Sequence, residues 1–142
     1  IRDSNIAYIS EGWSYQFGIY DISNLNNIIE LASIPCSGYA HNAWLNDEGT
    51  HLITTEETDD MTIKIWDITN LNNITLSGEY LGENNLAHNV HVLNDLLYIS
   101  HYTTGLKMTN NKFSILIIYS SIVESILIEF GRAMRMCTGY QE

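Results

Sequence analysis

A ten-residue string occurs twice in this chain. IYDISNLNNI at 19–28 returns as IWDITNLNNI at 65–74, an offset of 46 residues. Two other series keep nearly the same spacing. AHNAWL at 40–45 returns as AHNVHV at 87–92, an offset of 47, and IAYISEGW (6–13), HLITTEET (51–58) and LLYISHYT (96–103) follow one another at 45. A repeat of about 46 residues with matching neighbours restricts the chain to an array of like units, each burying its apolar faces against the next.

Each unit reads as strands. NAWL or NVHV is a short apolar-rich run, and NDEGTH or LND then supplies turn residues. LITTEE or LYISHY is a second strand, TIKIWDI or FGIYDI a third, and ITLSGEY or IIELASI a fourth, reached through the Asn-rich turn SNLNN or TNLNN. Nine Tyr, three Trp and three Phe against one Pro favour strands, and residues 1–106 show no helical periodicity. The expectation is an all-β chain of β-propeller blades, four-stranded antiparallel repeats, with strands near 42–45, 51–56, 62–68 and 75–80 in the one complete unit. Residues 1–39 would be a partial blade, 40–86 a full blade and 87–107 a partial one. A closed propeller takes roughly four to eight blades, so an incomplete propeller from a longer protein is expected.

In a propeller the first strand of each blade lines the central channel. His41-Asn42 and His88-Asn89 should therefore stand at equivalent corners, just before the innermost strands. Residues 108–142 leave the pattern. MTNNKFSILIIYSS stands where a third copy of IWDISNLNN is expected. Basic side chains rise from two in residues 1–106 to four in 107–142, while acidic ones fall from 14 to three. A shifted reading frame and a divergent last unit both fit. Lys112, Glu124 and Glu129 interrupt the apolar run there, so no membrane span is expected.

The formal net charge of −11 argues against nucleic acid or an anionic membrane as partner. Cys36 and Cys137 lack metal-ligand spacing. The chemistry-bearing candidates are the channel-mouth residues His41, Asn42, His88, Asn89 and His91. As metal ligands, His41, His88 and His91 would need an oxygen donor from Glu56 or Glu57. His91 follows His88 by an odd separation, so the two share an ion only if His88 precedes its strand. The alternative is structural: each His and Asn bonds its own connecting loop, and the two imidazoles stay apart. Glu56, Glu57, Asp59 and Asp60 read as a solvated acidic loop without calcium-loop spacing. Asp21 and Asp67 should bond the turns that follow them, and Trp44 and Trp66 should be packing anchors.

GIYDISNLNNI, AHNAWLNDEGTHLITTEET, TIKIWDITNLNNITLSGEY and AHNVHVLNDLLYISHYTTGL resemble LVIVD-repeat propellers, most of all the bacterial choice-of-anchor B group. The resemblance covers roughly residues 5–107. It implies a propeller fold and an extracellular or cell-surface setting, and it implies no settled reaction. The reading that follows is a non-enzymatic binding or scaffolding segment with no cofactor and with a protein, glycan or small molecule as partner. Its alternative is part of a metal-dependent propeller enzyme with His41 and His88 as ligands.

Overall fold

The computed structural model describes residues 5–61, 63–80, 87–94, 96–102 and 105–110, and among these there is no helix. They form β1 (Ile6–Ser10), β2 (Gln16–Asp21), β3 (Ile29–Pro35), β4 (Ala40–Leu45), β5 (His51–Glu56), β6 (Ile63–Asp67), β7 (Thr75–Tyr80), β8 (Ala87–Leu93), β9 (Leu96–His101) and β10 (Gly105–Asn110). The strands make three antiparallel sheets in chain order, β1-β2-β3, β4-β5-β6-β7 and β8-β9-β10, none closed into a barrel. The all-β expectation holds, and the four strands of the middle sheet fall where the repeat puts them.

β10 runs to Asn110, three residues past the boundary expected at 107. Its register explains why. Lys107 pairs with Ile99, as Lys64 pairs with Thr54 in the middle sheet. Those partners are one 45-residue step apart, so LKMTN is the same strand as IKIWD, entered through a shorter connection. The rest of the tail, with Cys137, lies outside the described residues.

The repeated turn has one internal logic. Asp21 Oδ1 accepts from Ser23 N at 2.8 Å, and Asp67 Oδ1 accepts from Thr69 N at 2.9 Å and Thr69 Oγ1 at 2.6 Å. Three residues after each Asp, Asn24 Oδ1 accepts from Asn26 N and Asn70 Oδ1 from Asn72 N. Each is a side chain imitating a backbone turn. The hydroxyl and amide of Ser23 and of Thr69 hold the Asp21 and Asp67 carboxyls below the ordinary range.

The middle sheet is covered on both sides. β5 is buried at five consecutive positions, Leu52 to Glu56, as expected for a strand with a packed layer on each face. Leu52 and Ile68 pack with Phe17, Ile19 and Ile34 of the first sheet. Ile53, Ile63 and Ile65 pack with Val90, Val92, Leu97 and Ile99 of the third. Burying each such Ile, Leu or Phe contributes about 1.5–3 kcal/mol, so the sheets are stapled face to face by their alternating apolar residues. β4 lies beside β1 on one side and β8 on the other. The outer edges of the first two sheets, β3 and β7, are mostly exposed.

Both AHN motifs are β-bulges. Ala40 pairs with Glu56 and Asn42 with Thr55, so His41 is the extra residue. Ala87 pairs with His101 and Asn89 with Ser100, so His88 is the extra residue. A bulge re-aims a side chain and increases local twist. The repeat puts His41 and His88 just before their innermost strands. They sit inside them, as the second residue of β4 and of β8, in equivalent positions.

Candidate functional site

The bulges turn two imidazoles toward each other across neighbouring sheets. The His41 and His88 rings stack with centroids 4.3 Å apart and planes 30° apart. The expectation that they stay apart and bond their own loops is therefore overturned, because the bulges aim both rings into the space between β4 and β8. Glu57 closes the group. His41 Nδ1 lies 3.0 Å from Glu57 Oε2, and His88 Nε2 lies 3.8 Å from Glu57 Oε1. All three side chains are half-buried. The Tyr102 hydroxyl donates to Glu57 Oε1, and its ring lies 4.9 Å from that of His88.

Glu57 is in place because its neighbour is locked. Glu56 is 2% exposed and faces inward. Its Oε2 accepts from Ser37 N at 2.9 Å and Gly38 N at 2.6 Å, and its Oε1 pairs with the Lys64 ammonium. A Cβ on Gly38 would stand 2.6 Å from Thr58 Oγ1, so glycine is required for this approach. Glu56 does not share a ligand group with the histidines, since both its oxygens serve the corner between sheets. Consecutive residues at a strand end point to opposite sides, which sends Glu57 outward.

His91 also leaves the group. It lies against Trp44, ring centroids 4.0 Å apart, because the bulge residue His88 takes a direction of its own. Asn42 reaches across sheets rather than to its own loop: its Oδ1 accepts from Val90 N at 3.0 Å. Asn89 is exposed, and its amide nitrogen stands 3.1 Å from His88 Nδ1. Trp44 packs on the apolar cluster between the second and third sheets and Trp66 on the one between the first and second, and Trp66 Nε1 donates to Thr54 Oγ1 at 3.0 Å. Both are packing anchors.

Sequence reasoning missed the aromatic surroundings. Tyr39 stands 6.1 Å from His41, Trp13 is 5.0 Å from Tyr39, and Tyr15 is 6.0 Å from Trp13, all as ring centroids. Trp13 is 71% exposed. The repeat held a signal for this. Gly12, Glu57 and Tyr102 occupy the same position just past the ends of β1, β5 and β9, each 45 residues from the next. At Gly12 the backbone has φ +58, and an added Cβ would stand 3.0 Å from the Tyr39 ring. Glycine there lets that ring close over the chain. The Gly12 and Ala40 backbones exchange hydrogen bonds at 3.0 and 3.2 Å, which ties the first sheet to the second beneath the rings.

The result is a run of rings, Tyr15, Trp13, Tyr39, His41, His88 and Tyr102, crossing all three sheets beside one carboxylate. Such a surface can stack on a planar or cationic group and can hold a cation between imidazole and carboxylate. The nearby Cys36 thiol adds no nucleophile: burial, and then the Glu56 carboxylate, push its pKa up to about 11. Among the described residues no carboxylates of the 56–60 loop converge as a calcium site.

No family model matches the chain, and neither does any curated protein. Among solved structures the chain is similar to a functionally unknown protein from Desulfotomaculum acetoxidans DSM 771. The two share 16% identity with a TM-score of 0.61 over 80% of this chain, which spans 38% of the length of that one. At this identity the likeness speaks to the fold alone.

Proposed function

We propose that this chain is a non-enzymatic ligand-binding segment of a secreted or cell-surface β-propeller of the LVIVD-repeat type, with its three sheets as successive blades. The single observation that carries binding is the ring surface from Tyr15 to Tyr102, built from all three sheets and open to solvent at Trp13. The propeller reading is supported by the repeat, by face-to-face packing of consecutive sheets, and by burial that falls from β4 and β5 to the exposed β7. The secreted setting rests on the resemblance of the repeat motifs. The partner is a protein, glycan or small molecule with a flat apolar or cationic group, since the acidic chain repels polyanions.

The test is an array of glycans and short peptides probed with the labelled chain. One ligand class should bind the wild type and be lost in a Trp13→Ala, Tyr102→Ala variant. Leu25→Ala, an exposed change in the β2–β3 turn, should bind as the wild type does. Binding that survives loss of both rings contradicts the assignment of this surface.

A further inference from the structure

We propose that His41, Glu57 and His88 together bind one divalent transition-metal ion of the zinc class. Their ligand atoms all lie within 4.8 Å of one another. Two atoms each about 2.1 Å from a tetrahedral ion stand about 3.4 Å apart. The observed edges of 3.0 Å from His41 Nδ1 and 3.8 Å from His88 Nε2 to the Glu57 oxygens bracket that spacing. Side-chain rotation at His41, Glu57 and His88 would bring their ligand atoms onto one ion.

The donor set selects the metal. Two imidazoles and one carboxylate suit zinc, copper(II) or nickel(II); calcium and magnesium require mostly oxygen, and copper(I) requires sulfur. Three protein ligands on half-buried side chains leave a fourth position for water or a ligand group. The surroundings also do what outer partners of metal sites do. Tyr102 donates to the Glu57 carboxylate and fixes its orientation. Asn89 addresses His88 Nδ1. Turning the Asn89 amide by half a rotation places its oxygen on Nδ1, which then keeps the ring proton and frees Nε2 for the ion.

The two histidines come from separate sheets and the carboxylate from the end of β5. The site therefore exists only when the repeats stack. It goes beyond the ligand-binding reading, because zinc occupancy requires neither Trp13 nor a partner.

The experiment is calorimetric titration of the full, chelator-treated chain with zinc chloride. The expected result is one ion per chain with micromolar or tighter affinity. His41→Ala, His88→Ala and Glu57→Gln should each weaken it at least about tenfold, and His51→Ala and Trp13→Ala should leave it unchanged. The imidazole proton resonances of the wild type give a second readout that needs no variant: zinc should shift those of His41 and His88 and leave the other three histidines in place. No saturable uptake, uptake that survives the His41→Ala, His88→Ala double variant, or zinc shifts on other histidines overturns the site. Zinc binding without array binding would remove the ligand reading alone, and array binding without zinc would remove the metal site alone.

Discussion

The Glu56 carboxylate is buried with two backbone N–H donors and the Lys64 ammonium, so its loss strands a cation and two amides. Breaking a buried pair in this way costs about 3–5 kcal/mol. Glu56→Ala should fall near the low end, about 3 kcal/mol in urea unfolding, because the Lys64 side chain retains 19% exposure. Glu56→Gln should cost less, since its amide oxygen still accepts from Ser37 and Gly38. Equal stability of Glu56→Ala and wild type would remove the corner role. His101 holds the equivalent place in the third sheet, and burial, then Lys107, lower its pKa. Its folded pKa lies below the unfolded value of about 6.5. The neutral ring therefore contributes stability that is full above about pH 6.5 and is lost as pH falls through the folded pKa. Stability measured from pH 7.5 downward should drop, and His101→Gln should flatten that drop. The parity of Glu56 and Glu57 was visible in the sequence. Which of the two faces inward was not, because that depends on Lys64 and Gly38, brought there by other strands.

The strands and turns were legible because their causes are local. β-branched alternation, the Asp and Asn side chains that cap the repeated turn, and the spacing of the ten-residue string fixed four strands of the middle sheet. The bulges were not legible. Nothing in AHNAWL distinguishes a regular strand entry from one with an extra residue, since the bulge is defined by the partner strand's register. That one feature decides that His88 leaves His91 and faces His41. The same elements give a contrast between repeat-equivalent residues. Asn42 satisfies the amide of Val90, a residue only 2% exposed, whereas Asn89 is exposed and its side chain, among the described residues, bonds within its own sheet's motif. Asn42→Ala should cost about 1–3 kcal/mol, the penalty of an unsatisfied buried donor. Asn89→Ala should stay within about 0.5 kcal/mol, as surface changes do. Similar losses for the two would show that the Asn42 bridge carries no weight.

Across the molecule, stacking brings repeat-equivalent residues into contact. His41 meets His88 and Trp44 meets His91, each pair 47 positions apart in the chain. The offset in sequence has become a step between neighbouring sheets, and the site is one such step at the bulge with Glu57 beside it. Nuclear Overhauser contacts between side chains test this most directly. Stacked sheets predict ring-to-ring cross-peaks for both pairs, His41 with His88 and Trp44 with His91, the first disappearing in His41→Ala and the second persisting. Cross-peaks that stay within each sheet, with neither pair in contact, would contradict the stacking on which the fold, the ring surface and the proposed metal site all depend.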